Sequence, residues 1–305
     1  MRLSRRRFLM FASTAALAAP RAQAYRWQGT ALGARAQIVL DHPRAERITR
    51  DALAEIDRLE DVFSLYRPGS HLRRLNAAGR LSAPPFELLE CLATARRVHA
   101  VTGGRFDPTV QPLWQAMAQA WAAGHPPDAR DVAQARAAIG FGRVRFDSTA
   151  IQMDPGQRLT LNGIAQGYIA DRVARLMRAE GIQDVLVDTG EIVALGGADG
   201  RGGWPVTIAH SPERRLLTNR AIATSAHDGT VLDPRGRVGH ILDPASGAER
   251  RPVVRSISIS APSAALADAL STGLSLAGGT AEVTATLRQL KDVRLENLQT
   301  DPETQ

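Results

Sequence analysis

The chain is poor in cysteine, in aromatic residues and in long apolar runs, and each shortage narrows what it can be. Cys91 is the single cysteine, so an intrachain disulfide and a thiolate metal cluster are both excluded. A lone cysteine is compatible with an oxidising compartment and reads as a small buried hydrophobe. Aromatic residues make up only 5% of the chain. No apolar stretch has the length needed to span a bilayer, and no internal repeat or low-complexity tract is present. No Gly-x-Gly-x-x-Gly joins a strand to a helix, so a Rossmann dinucleotide site is not supported. Excess charge is also scarce once its position is considered. The formal net charge is +7, but five arginines and no acids fall in the first 24 residues, which leaves +2 for the rest. The basic balance is therefore no argument for a nucleic-acid partner.

What is present begins with an export signal. Arg2, Arg5, Arg6 and Arg7 precede a short apolar run from Phe8 to Ala19, and Ala22-Gln23-Ala24 is an A-x-A cleavage site. Ser4-Arg5-Arg6-Arg7-Phe8-Leu9 matches a twin-arginine signal, an alternative being an ordinary secretory signal with extra arginines. The expectation is a signal peptide over 1–24, one large domain of two intimate subdomains over 25–298, a polar tail over 299–305, and a periplasmic location.

The 305 residues, 44% hydrophobic and 23% charged, suit such a globular body. Periodicity predicts helices over 44–63, 85–101, 114–123, 128–138, 164–180 and 263–277. It predicts strands over 29–40, 143–147, 151–153, 184–195, 204–210, 220–225 and 253–260, with a polar loop over 64–84. The order lacks regular βαβ alternation, so the expected fold class is α+β, with mixed sheets and packed helices.

Four segments carry chemistry-bearing side chains. Phe63 to Ser70, closing with Leu75-Asn76, offers the Tyr66 phenol, the Arg67 guanidinium and hydroxyls to a polar ligand with an aromatic ring. Thr102 to Leu113 offers paired glycines and the Phe106 ring beside Asp107. Leu161 to Arg172 is a glycine-containing loop entering a helix, a geometry that suits phosphate. Finally, Gly239 to Pro244 contains His240, and Asp268 and Thr272 stand at i and i+4 on one helix face. A carboxylate and a hydroxyl one turn apart make a hard oxygen site suited to Mg²⁺. Taken singly, each segment also has a purely structural reading: a surface turn, a helix stop, a strand-to-helix turn, or a hydroxyl bonded back to its own helix.

Taken together and in this order, the segments resemble the ApbE family of FAD:protein FMN transferases. The resemblance runs from about Gly29 to about Gly278 and includes the Val187-Asp188-Thr189-Gly190-Glu191-Ile192 hairpin, Gly239-His240-Ile241-Leu242-Asp243-Pro244 and Ala267-Asp268-Ala269-Leu270-Ser271-Thr272. The middle of the chain, with its Pro126-Pro127 break, is similar to the subgroup linked to respiratory flavoproteins such as nitrous oxide reductase maturation partners. The resemblance implies that Leu32, Tyr66, Phe106, Asp107, Thr160, Gln166 and Leu242 frame FAD. It implies that the Gly163 carbonyl, Asp268 and Thr272 hold Mg²⁺. His240 would be the acid/base group, with Asp243 a candidate to orient it. The implied reaction moves FMN from FAD to a threonine or serine hydroxyl of an acceptor flavoprotein near the inner membrane and releases AMP. The chain departs from the family pattern at Ala34 (usually Thr), Thr160 (usually Asp), Gln166 (often Lys) and the Thr189-Gly190-Glu191 stretch, which has one glycine where many members have two. Two other readings stay open. One is a flavin-binding maturation factor with little catalysis, which would leave FAD bound and intact. The other is a Mg²⁺-dependent FAD pyrophosphatase, which would release FMN and AMP without an acceptor.

Overall fold

The computed structural model describes residues 25–31, 34–198, 202–233, 238–247 and 253–301. Leu32 and the expected signal peptide lie outside the described residues.

The chain opens with an antiparallel hairpin, β1 (Tyr25–Ala31) and β2 (Ala34–Leu40), where one strand over 29–40 was expected. The helix α1 (Ala45–Phe63) follows. The expected polar loop over 64–84 in fact contains α2 (His71–Ala78) and β3 (Arg80–Ser82). Local chemistry explains the helix. The Ser70 hydroxyl accepts from Arg73 N at 3.1 Å at its start, and Gly79 adopts φ 68° at its end, so both termini are capped within a two-turn segment. Only Leu72 and Leu75 are buried from it, too few for periodicity to register. Next come α3 (Phe86–Val101), a single 3-10 turn at Pro108–Val110, α4 (Gln111–Ala122) and α5 (Ala129–Ala137). The short strands β4 (Arg145–Phe146) and β5 (Ala150–Gln152) pair with β3 in a small antiparallel sheet.

The second half builds most of the main sheet. After α6 (Ala165–Ala179), β6 (Val185–Asp188) and β7 (Ile192–Leu195) form a hairpin. A two-stranded ribbon of β8 (Trp204–Thr207) and β9 (Arg214–Leu217) precedes β10 (Arg220–Ala226). Then come β11 (Val254–Ala261), α7 (Ala264–Leu274), α8 (Thr280–Leu287) and β12 (Arg294–Thr300). The seven-stranded sheet has the order β1-β2-β6-β7-β10-β11-β12, and every neighbouring pair is antiparallel. The sequence reading missed β9, α8 and β12. The last strand carries the sheet past the expected boundary at Leu298 to Thr300, and Asp301 N donates to the Val253 carbonyl at 2.8 Å.

Strand periodicity assigns the faces. Ile38, Leu40, Val185, Val187 and Val193 join the main core under α1, α3, α6 and α7. Their alternates Val39, Leu186, Ile192, Ala194 and Ile222 pack on the opposite face against Trp204, Val206 and Leu217 of the ribbon. With both faces covered, β7 reads as an unbroken apolar run and β6 as one up to Asp188. A smaller cluster of Leu113, Met117, Ala135 and Leu242 joins α4 and α5 to the segment around His240. Among the described residues no helix is long and apolar enough to cross a membrane.

Candidate functional site

A cleft of ≈ 1060 Å³ runs between the α4–α5 side and the junction of α6, α7 and β10. Its lining includes Tyr66, Phe106, Asp107, Thr160, Gly163, Gln166, His240, Leu242, Asp268 and Thr272. Every expected site residue within the described part of the chain thus meets in one cavity, although the segments lie up to about 200 positions apart in sequence.

The centre is the crossing of α6 and α7. Gly167 is packed so closely that a Cβ there would stand 2.4 Å from the Ala264 carbonyl oxygen. That approach lets Gly167 N–H donate to Asp268 Oδ2 at 3.2 Å. The first turn of α6 was expected to present its backbone dipoles to phosphate; instead one of its N–H groups is occupied by the Asp268 carboxylate. From the same helix, Asp171 accepts hydrogen bonds from Ser263 Oγ, Ala264 N and Ala265 N at 2.8–3.0 Å and so caps α7. Two residues of one sequence segment therefore fix the register of the helix carrying Asp268 and Thr272.

Asp268 is buried, and burial pushes its carboxyl up to about 7, against the opposing hydrogen bond from Gly167 and with Asp171 adding repulsion. Thr272 Oγ1 lies against Gly163, where a Cβ would approach it to 2.8 Å. The Ser225 hydroxyl pairs with Ser271 Oγ at 2.8 Å and Thr272 Oγ1 at 3.4 Å. Among the described residues no three His, Cys, Asp or Glu side chains form a metal cluster. The donor set is instead one buried carboxylate, a hydroxyl and a main-chain carbonyl beside an open cleft. This fits Mg²⁺, which takes hard oxygens, one or two carboxylates, and substrate phosphates.

Gln166 is 9% exposed, and its Nε2 is a buried donor without a partner. It faces the cleft beside Gly190, whose φ of 104° turns the β6–β7 hairpin. Glu191, at the same turn, is 8% exposed with Oε2 buried and unpartnered. Glu191 was not among the expected site residues. The signal available was an acid set between two apolar strands.

His240 is held by the Thr230 carbonyl, which accepts two hydrogen bonds from it. His240 N donates to the Thr230 carbonyl at 3.0 Å, and Nδ1 lies 3.0 Å from the same oxygen. A carbonyl only accepts, so Nδ1 carries a proton and Nε2 is the basic nitrogen of the neutral ring. Burial, together with nearby His227, lowers its pKa to about 4. The imidazole is therefore neutral near pH 7. Asp243 does not orient it: its carboxylate accepts from Ala245 N and Ser246 Oγ within its own turn.

Several motif residues prove to be scaffold. Arg67 turns from the cleft to bond Asp57, Glu60 and Asp61 of α1. Asn76 makes two hydrogen bonds with the Leu159 backbone, at 2.7 and 2.8 Å, and so places the segment entering Thr160. Asp107 lines the cleft, but its oxygens accept from Thr109 N and Phe141 N and are committed to the turn. Thr160 Oγ1 accepts from Asn162 N at 3.3 Å. Tyr66, 53% exposed, stands at the mouth, while Phe106 and Leu242 are buried walls.

The ApbE family model matches residues 32–295. A FAD:protein FMN transferase of Klebsiella pneumoniae is 28% identical over 263 residues, covering 79% of this chain and 74% of that protein. One of Vibrio cholerae is 31% identical over 251 residues, covering 73% and 72%. The apo crystal structure of the Pseudomonas stutzeri flavinyl transferase ApbE superposes with a TM-score of 0.77 at 26% identity, covering 87% of this chain and 88% of that one.

Proposed function

The chain belongs to the ApbE family, and from that premise we propose that it is a Mg²⁺-dependent FAD:protein FMN transferase acting on a hydroxyl of an acceptor flavoprotein. The observation that carries the reading is the meeting of Gly163, Gln166, Asp268 and Thr272 with Phe106, Tyr66 and His240 in one cleft.

In this reading the flavin ring lies between the Phe106 wall and Tyr66 at the mouth. The unpartnered Gln166 Nε2 donates to a pyrophosphate oxygen, which removes the cost of an orphaned buried donor. Asp268, Thr272 and the Gly163 carbonyl would hold Mg²⁺. The ion, when bound, supplies neutralisation of phosphate charge and fixes the phosphates for displacement. Neutral His240 takes the proton from the acceptor hydroxyl at Nε2, since Thr230 occupies Nδ1. The hydroxyl oxygen bonds to the FMN-side phosphorus, the bridging P–O bond breaks, and AMP leaves. The apolar walls at Phe106 and Leu242 limit water, which would otherwise hydrolyse FAD.

Export by the twin-arginine route and an acceptor of respiratory type complete the proposal. The test is incubation of the chain with FAD, Mg²⁺ and an acceptor domain. Covalent FMN on the acceptor with stoichiometric AMP supports transfer. FMN and AMP without acceptor would make it a pyrophosphatase, and bound intact FAD a binding factor.

A further inference from the structure

The transfer reading gives the Glu191 carboxylate no task, and unlike Asp107, whose oxygens are committed to their own turn, it is not fully paired within the protein. One of its oxygens receives the Thr224 N–H, while Oε2 is buried with no partner. Burying such an oxygen is unfavourable unless something pairs with it. The nearby charges make matters worse, because Asp268 and Asp188 both act on Glu191 with the same sign. Glu191 and Asp268, when both ionised, repel a pyrophosphate, which brings two more negative charges.

The two carboxylates belong to one cluster. Thr224, which donates to Glu191, is followed by Ser225, whose hydroxyl reaches Ser271 and Thr272. Asp268 in turn accepts from Gly167, the neighbour of Gln166. One strand dipeptide and one helix turn thus tie Glu191 and Asp268 to the same patch of cleft wall. Gln166 Nε2, a second unpartnered buried group in that patch, is a donor and serves an anion. An unpaired acid oxygen and an unpaired amide donor, on two residues that line the cavity, match a ligand that combines a cation with an anion.

We propose that Glu191 is a second anionic ligand for a divalent, hard cation in this cleft, acting with Asp268 on the ion that accompanies the FAD pyrophosphate. The proposal rests on the reading of the cleft as a cation-assisted FAD site. Two carboxylates balance a divalent charge, so the phosphates meet a neutral wall, and two is the upper end of what Mg²⁺ takes from protein in phosphate-binding sites.

The experiment uses the full chain freed of FAD, with Mn²⁺ as the probe, followed by the electron paramagnetic resonance of the free ion, with and without FAD. Glu191→Gln keeps the shape and removes the charge. It is expected to weaken Mn²⁺ binding about tenfold or more, the scale on which lost partners lower metal affinity, with unchanged circular dichroism. FAD binding without metal is expected to hold or tighten. Glu191→Asp, which keeps the charge but withdraws the oxygens, is expected to weaken Mn²⁺ as well and serves if the glutamine variant does not fold. Wild-type Mn²⁺ affinity in the folded Glu191 variant, with loss in Asp268→Asn, would overturn the role of Glu191 and leave the cation reading standing. No Mn²⁺ uptake by the wild type in either condition, or no effect of either substitution, would overturn both.

Discussion

Gly167 and Asp268, 101 positions apart, are joined by a 3.2 Å hydrogen bond from the glycine N–H to the buried carboxylate. The contact exists because Gly167 has no side chain. It makes the α6–α7 crossing both a packing seam and the floor of the site.

Gly167→Ala is expected to destabilise the protein by about 1–3 kcal/mol, the usual cost of overpacking. A Cβ would meet the Ala264 carbonyl oxygen at 2.4 Å and its carbon at 2.5 Å, and both are backbone atoms that cannot rotate away. Thermal melts of parent and variant check this. An unchanged melting temperature would mean that the helices separate freely.

Asp171→Ala removes the acceptor for Ser263 Oγ and two backbone N–H groups at the start of α7. A loss of about 0.5–2 kcal/mol is expected from the cap. FAD affinity should fall as well, because α7 carries Asp268 and Thr272. Denaturant titration and FAD titration read the two effects separately, and wild-type values in both would remove Asp171 from the support of the site.

The acid limb of the transfer reaction is expected near pH 4, measured as kcat/KM for the acceptor. His240 titrates at about 4 because burial opposes the imidazolium. The same depression links to stability. Because the unfolded chain protonates this histidine at the ordinary value of 6.5, its stabilising contribution is present above that pH and is lost as pH falls toward 4. His240→Asn should lower transfer by about 10²–10⁴-fold with little change in FAD affinity. An acid limb near 6.5 that persists in the variant would assign the proton to another group.

Gln166→Lys is expected to tighten FAD binding and to make it more sensitive to salt. The amide already faces the cleft with its nitrogen unpartnered, and an ammonium there adds a charge-assisted bond. Titrations at two ionic strengths decide the matter. Equal affinities and equal salt responses would show that this position does not meet the phosphates.

Replacement of Arg5 and Arg6 by lysine is expected to leave uncleaved precursor inside the cell, with cleavage after Ala24 in the parent. Fractionation and mass determination of the N-terminus measure both. Normal export of the double variant would reassign the segment as an ordinary secretory signal.

The sequence by itself determined the α+β class and all but a few of the elements. Long helices such as α1 and α6 and apolar strands such as β6 and β7 carry their own periodicity. It also determined the set of segments that form the cleft, because glycines, an i,i+4 carboxylate–hydroxyl pair and a histidine turn are local patterns. Short elements escaped it: α2 buries only two side chains, and β12 has no strong apolar stripe because it lies at the sheet edge. Only the tertiary structure decided which motif residues face the cleft. Arg67 and Tyr66 are neighbours in one motif, yet one bonds α1 and the other borders the cavity. It also decided the proton state of His240 and the isolation of Glu191 Oε2, since desolvation and orphaned polar atoms depend on what the rest of the chain packs around a group, and no spacing along the sequence encodes that.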